Sequence, residues 1–306
     1  MPWFENLFAH GLVASTPLLL ADEEGCLPLL EDGQRIYGLS NYYSSLFGPA
    51  GNIPTNILPL LPRRALIDLQ PMDIAAPEFG HLKSELATAG YWVDDYFCFG
   101  NWYLDVAGRS FSDYLGSRAS QLRNNIQRGK GKLGKAGEWQ IVIHRQAGDE
   151  LEQAIRAFEA VYAQSWKEPE PHPNFIPNMC RMAAAQGWLR LGVLSLNGQA
   201  VAAQIWLTHG GIANIYKLAY DEAAVRYSAG SVLTAAMMEY ALDTDKVHEV
   251  DYLTGDEPYK QDWMSHRRER RGIIAFDLTQ WAGFKAAARH WAGRCWRRLR
   301  PVHANT

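Results

Sequence analysis

Between Trp188 and Tyr220 the chain reverses direction twice within a few residues. Residues 189–196 and 199–208 are apolar runs separated by Asn197-Gly198, a dipeptide favoured where both central positions of a two-residue turn need positive φ. His209-Gly210-Gly211 then leads into a third run over 212–220. Runs joined this tightly pair with their neighbours in opposite directions, so the stretch predicts three sequential antiparallel strands. A helix follows over 228–242, with Leu233, Met237, Tyr240 and Ala241 as its apolar stripe, and then a strand over 249–253. Ahead of the three strands, 140–144 reads as a strand and 149–166 as a helix whose Leu151, Ile155, Phe158 and Tyr162 recur at spacings of 4, 3 and 4. A proline-rich loop covers 168–177. The second half therefore has the order β-α-β-β-β-α-β.

The first half is less sharply marked. Short β-like runs at 27–30, 35–39, 66–69 and 91–99 alternate with Gly- and Pro-containing turns, and 75–90 reads as a helix. Over 108–137 the composition shifts. Arg109, Arg118, Arg123, Arg128, Lys130, Lys132 and Lys135 stand against the single acid Asp113, while Phe111, Tyr114, Leu115, Leu122 and Ile126 keep partial helical spacing. This pattern predicts a basic amphipathic helix leading into a Gly/Lys hinge, and it places a domain boundary between 1–137 and 138–306. At the far end, 281–300 puts Trp281, Phe284, Ala288, Trp291, Cys295 and Leu299 on one helical face, with Lys285, Arg289, Arg294, Arg297, Arg298 and Arg300 elsewhere. It reads as a helix packed on its own domain, with a membrane-surface helix as the second reading.

A chain of 306 residues, 47% hydrophobic and 21% charged, has material for a large core, and its formal charge of -3 gives no global attraction to nucleic acid or an acidic membrane. Cys26, Cys98, Cys180 and Cys295 lie far apart without a C-x-x-C pair and read as free thiols of a reducing compartment. The N-terminus carries neither a basic leader nor an apolar run able to span a bilayer, so a cytoplasmic location is expected, peripheral at the inner membrane face if the last helix lies on lipid. No two histidines stand at ligand spacing with a carboxylate, so no metal site is expected. Serine hydrolases, P-loop enzymes and Rossmann oxidoreductases lose their usual support, since G-x-S-x-G, a Walker loop and a G-x-G-x-x-G after a strand are all missing.

Two segments carry chemistry. Arg226-Tyr-Ser-Ala-Gly-Ser231 stands where a strand gives way to a helix, so unpaired N–H groups and the helix dipole favour an anion there. Ser228 is placed to cap the helix and Gly230 to let a ligand approach the backbone. An ordinary capped helix explains the same residues; the strands before it are what point to a pyrophosphate. In 251–263, Asp251 ends a strand, a glycine turn follows, and Asp256, Glu257, Tyr259 and Lys260 come next. Forming an amide from a thioester requires a proton to leave an ammonium nucleophile and one to reach the departing thiolate. Asp251, Asp256 and Glu257 suit the first task and Tyr259 the second; the competing reading has Asp256 pairing with Lys260 while Tyr259 and Trp263 fill the core. A loop with Trp166, Lys167, Glu168, Glu170 and His172 is able to roof a substrate cleft and supply the base, or else carries solvated charges.

The strand order is that of the GNAT core, and several phrases strengthen the likeness: the basic segment 117–128, 165–170, 188–206, Tyr216-Lys-Leu-Ala-Tyr220, Ser228-Ala-Gly-Ser-Val-Leu233 and 251–263. Over about 111–274 the chain resembles the bacterial GNAT-like acetyltransferases named for cellulose and exopolysaccharide biosynthesis, relatives of the FemAB peptidyltransferases. The resemblance implies an α/β GNAT (acyl-CoA N-acyltransferase) fold with two GNAT-like halves in tandem, the first degenerate. It implies acetyl-CoA or another acyl-CoA as donor, bound by Lys217, Ala219, Arg226, Ser228, Ala229, Gly230, Ser231 and Val232. It further implies an acceptor amine of a sugar or envelope precursor, beside Trp166, Lys167, Glu168 and Glu170, with Asp251, Asp256, Tyr259 and Lys260 at the family's recurring catalytic positions. Arg226 lies four rather than three residues before Gly230, a departure from the general GNAT phosphate signature. That spacing leaves open a FemAB-like use of aminoacyl-tRNA through the basic helix, and a non-catalytic GNAT-shaped scaffold in polysaccharide export is the third reading.

Overall fold

The computed structural model describes residues 2–12, 15–23, 25–51 and 61–299. The chain forms two compact units, one of Met1–Gly11 with Gly100–Arg268, the other of Leu12–Phe99 with Glu269–Thr306. This corrects the boundary expected at 137. The basic segment belongs with the residues after it, because Leu122, Ile126 and Leu133 are buried in the same cluster as Val232, Leu233 and Trp206.

In the first unit the three strands of the sequence reading stand as Leu189–Leu196, Gln199–His209 and Ile212–Tyr220, preceded at the edge by Trp139–His144. Leu189 pairs with Leu207 and Ile212 with His209, the registers set by the Asn197-Gly198 and Gly210-Gly211 turns. Ile212–Tyr220 also pairs in parallel with Glu249–Asp251, which in turn is antiparallel to the segment ending at Asp105. A parallel neighbour needs a crossover, supplied here by the helix Ala229–Glu239. The helix Asp149–Ala163 buries Leu151, Ile155, Phe158 and Tyr162 as its spacing predicts. The proline-rich loop is shorter than expected, since Phe175–Ala185 is a helix burying Met179, Cys180 and Ala183. The predicted basic helix is two helices, Phe111–Gly116 and Ser120–Ala136.

In the second unit, Thr16–Ala21, Gly25–Asp32, Arg35–Gly38, Leu66–Asp73, His266–Phe276 and Trp92–Asp105 are successive neighbours in a mixed sheet, the last two entering it through residues 269–276 and 92–99. The helix Pro77–Thr88 seals Phe79, Leu82 and Leu86 against Ile67, Leu69 and Ile273. His266–Phe276 is a strand that periodicity conceals, since His266-Arg-Arg-Glu-Arg-Arg271 carries little apolar signal. Its arginines are neutralised locally: Arg271 pairs with Asp95 and Glu269, and Arg270 with Asp73. Among the described residues no helix is long and apolar enough to cross a membrane.

Candidate functional site

The parallel pairing of Ile212–Tyr220 with Glu249–Asp251 lasts three residues, ending at Asn214 opposite Asp251. A bulge between Ile215 and Lys217 follows on the other side of that strand. Beyond Asp251 the chain leaves the sheet, so the far half of Ile212–Tyr220 stands beside an opening instead of a ladder partner. Open strand ends of this kind are where α/β sheets build sites.

On one side of the opening lies a cavity of about 200 Å³ lined by Asn125, Tyr220, Val225, Ser228, Ala229, Gly230 and Ser231. Ala229, Gly230 and Ser231 begin the helix Ala229–Glu239, so their N–H groups have no intrahelical acceptor and the positive end of the helix dipole faces the cavity. Ser228 sits in the left-handed region at φ 53°, and its hydroxyl makes no cap bond. Instead Ser228 Oγ donates to Asn125 Oδ1 at 2.8 Å, which corrects the expectation that this serine caps the helix. A Cβ on Gly230 would lie 3.0 Å from the Tyr220 ring, so glycine lets that ring close the cradle. From below, Gln204 Nε2 donates to the Gly230 carbonyl at 3.2 Å and to Thr234 Oγ1 at 2.7 Å, fixing the first turn.

On the other side is a cluster of charges. Lys217 Nζ donates to Glu170 Oε1 at 2.7 Å, with the two side chains only 12% and 10% exposed. Glu170 Oε2 is buried and has no hydrogen-bond partner among the described residues. An acceptor left this way in a buried carboxylate carries a desolvation cost that a donor from a ligand would relieve. Burial, and after it the positive Lys217, holds the Lys167 ammonium below its usual range. Burial would raise the Glu257 carboxyl, but the bond from Lys260 and the charge of Lys167 keep it low. The Tyr259 phenol is pushed up by burial first and then by Glu257, so it stays protonated at neutral pH. Trp166 lies against Tyr220, ring centroids 4.6 Å apart, which makes Tyr220 a wall common to the cradle and the cluster.

Asp251 and Lys260 brace this cluster. Asp251 is buried; its Oδ1 accepts from Leu253 N at 2.6 Å and Asn101 Nδ2 at 2.5 Å, and Oδ2 accepts from Arg268 at 2.5 Å. Leu253 has φ 55°, a conformation costly for a branched side chain and held here by those bonds. Lys260, also buried, donates to the Thr254 and Gly255 carbonyls at 2.5 and 3.3 Å and pairs with Glu257 at 2.8 Å. Asp256 is turned to Arg267 and to Trp102 Nε1, 2.8 Å away; the Arg267 bond holds its carboxyl low.

Comparison with known proteins fits this geometry. Residues 120–261 match the acetyltransferase (GNAT) domain family. The domain is a GNAT-type acyltransferase. No curated protein matches the chain. Among solved structures, the chain is similar to FemX, with 10% identity, a TM-score of 0.61 and 91% of each chain covered. It is also similar to L-PGS from Bacillus licheniformis, with 11% identity, a TM-score of 0.58 and 96% of each chain covered. At such identities the likeness is one of fold.

Within the GNAT domain, the residues singled out from sequence separate into groups. Ser228, Ala229, Gly230 and Ser231 line the cradle, whereas Val232 is wholly buried and Ala219 lies in the strand beneath. Lys217 belongs to the charged cluster, paired with Glu170, and is not among the cradle-lining residues. Arg226 Nη2 donates to the Tyr227 hydroxyl at 2.7 Å, while its carbonyl takes a bond from Lys132 at 2.9 Å. Trp166, Lys167, Glu170, Tyr259 and Lys260 come together; Glu168 faces solvent, and Asp256 is bound to Arg267 and Trp102. Asn125, Gln204 and Tyr220 went unnoticed as site residues. Only Gln204 had a signal, a polar residue at an inward position of an otherwise apolar strand.

Proposed function

We propose that the GNAT domain moves an acyl group from acyl-CoA, acetyl-CoA in the simplest case, to an amine of a sugar or envelope or exopolysaccharide precursor. The observation that carries this reading is the nearly buried Glu170, with one oxygen on Lys217 and the other without a partner among the described residues, next to an anion cradle that shares Tyr220 as its wall. The N–H groups of Ala229, Gly230 and Ser231 are suited to the donor's pyrophosphate. Glu170 Oε2 would accept a hydrogen bond from the incoming ammonium and draw off its proton, and the Tyr259 hydroxyl, protonated at neutral pH, would supply one to the departing thiolate. Asp251 and Lys260 act by holding 252–260 in shape. The second unit then stands as the other GNAT-like half that the sequence resemblance implies.

A second reading rests on the basic helix. Arg109, Arg118 and Lys132 are spent on main-chain carbonyls, at Val106, Met264 and Arg226, but Arg123, Arg128, Lys130 and Lys135 are exposed on Ser120–Ala136, which packs on the cradle helix. Exposed cations beside a phosphate cradle also suit an aminoacyl-tRNA donor. Calorimetric titration with coenzyme A and acetyl-CoA, repeated on Gly230→Trp, tests the first reading: micromolar binding abolished by the substitution supports it. No binding by folded wild-type protein, together with a tRNA mobility shift at low salt that Arg123→Glu/Arg128→Glu removes, would overturn it in favour of the second.

A further inference from the structure

The helix Trp281–Leu299 is held on its own unit by a side of small and polar residues. Gly283 touches main chain there: a Cβ would come within 2.8 Å of the Ala65 carbonyl oxygen. One turn on, Ala287 is buried, His290 Nε2 lies 2.8 Å from Asp94 Oδ2, and the imidazole packs 5.5 Å from the Phe276 ring. Arg294 pairs with the same carboxylate. Residues 283, 287, 290 and 294 follow at spacings of four, three and four, which defines one face of a helix.

A neighbouring face is apolar and turned outward. Trp281 is 68% exposed, Phe284 50% and Trp291 62%, with Ala288 and Cys295 exposed between and beyond them. The Trp281 and Phe284 rings lie parallel, 5.7 Å apart, and Lys285 Nζ sits 5.0 Å over Trp281. The helix thus packs on its own unit as expected, but the Trp281–Phe284–Trp291 stripe is not the side it packs with. An outward aromatic stripe on a helix anchored by glycine, alanine and ion pairs inverts the usual amphipathic arrangement, and such a patch marks a partner.

Charge selects the partner. Residues 281–300 contain Lys285, Arg289, Arg294, Arg297, Arg298 and Arg300 and no Asp or Glu; Arg300 lies outside the described residues. Arg294 is turned inward to Asp94, while Lys285 and Arg289 are exposed beside the aromatic stripe. A second copy seated on this face by two-fold symmetry would set cations against cations with no acid from the helix to offset them. Indole rings flanked by cations are what the boundary between lipid headgroups and acyl chains accepts, rings inward and charges on the phosphates.

We propose that Trp281, Phe284 and Trp291 dock this helix on the surface of an anionic bilayer, making the protein peripheral to a membrane. The proposal does not rest on the acyl-transfer reading. Its test is co-sedimentation of the full chain with vesicles of phosphatidylcholine containing phosphatidylglycerol, and with phosphatidylcholine alone. The expected result is binding to the anionic vesicles that weakens about tenfold or more without the anionic lipid or in high salt. Trp281→Ser/Phe284→Ser/Trp291→Ser should lose at least about tenfold in affinity, and because these side chains face outward its melting temperature should match wild type. Lys285→Glu/Arg289→Glu should lose binding at the same intact fold. No sedimentation of wild-type protein with anionic vesicles, or equal sedimentation of the triple-serine variant, would overturn the proposal. So would a dimer by light scattering that the triple-serine variant converts to monomer, since a second copy would then cover the stripe.

Discussion

Glu170→Gln is the substitution whose outcome discriminates most. The wild-type carboxylate gives one oxygen to Lys217 at 2.7 Å in a pair barely exposed to water, and its second oxygen has no partner among the described residues. The amide keeps a neutral acceptor for Lys217 but removes the negative charge and puts a donor where the lone oxygen was. Breaking a buried ion pair from one side costs about 3–5 kcal/mol. The retained neutral hydrogen bond returns about 1 kcal/mol, so a net loss of about 2–4 kcal/mol is expected. For a domain of this size that lowers the melting temperature by roughly 5–15 °C. If Glu170 also draws the proton from the acceptor amine, kcat/KM falls by about 10²- to 10⁴-fold, the range for loss of a general base. The two effects separate in Glu170→Leu/Lys217→Met, because replacing both partners with apolar groups is often neutral for stability. The assay is thiol release from acetyl-CoA with an amino-sugar acceptor, run well below each variant's melting temperature. Activity of Glu170→Gln within about threefold of wild type, or activity that returns with stability in the double variant, would refute a chemical role.

Three further outcomes are expected. Burial and Lys217 depress the Lys167 ammonium, so the unfolded chain binds that proton more tightly than the folded one and stability should rise with pH up to the ordinary lysine value of 10.5; Lys167→Met should flatten that rise in melts between neutral and alkaline pH and stabilise the protein near neutrality. Asp277, held far below its ordinary 3.8 by Arg63 with help from Thr279 and Gln280, contributes stability present above that value and lost as pH falls further; Asp277→Asn should cost about 2–4 kcal/mol near neutral pH and flatten the acid limb of the unfolding curve. Asp251→Asn keeps an acceptor for Leu253 N but presents an amide to Arg268, so turnover and melting temperature should fall together; lost turnover at an unchanged melting temperature would assign Asp251 to the chemistry instead of the brace.

What could be read before folding was whatever local spacing encodes. Asn197-Gly198 and Gly210-Gly211 dictate two tight turns, and so the antiparallel register of Leu189–Leu196, Gln199–His209 and Ile212–Tyr220. The apolar repeat of Leu151, Ile155, Phe158 and Tyr162 fixes a helix by itself, and the strand-to-helix step at Ser228–Ser231 points to an anion cradle once the strands before it are read with it. Long-range pairing hid the rest. The strand His266–Phe276 exists because acids on other strands neutralise its arginines, a condition invisible in its own residues. The boundary at 137 failed because the basic helix finds its buried neighbours more than 90 residues later, at Val232 and Leu233.

The same division runs through the site and the surface. Sequence alone supplied the chemical inventory: carboxylates, a phenol and lysines near a phosphate-suited turn. Only the tertiary structure decided their tasks, by bringing Lys217 to Glu170 across 47 residues and leaving one oxygen of that acid alone, and by closing Asn101, Leu253 and Arg268 around Asp251. It also decided which way the last helix faces. An amphipathic pattern states that a helix has two sides; which side meets protein depends on what waits there, and here Asp94 and the Ala65 carbonyl take the polar and small residues and leave the tryptophans outside.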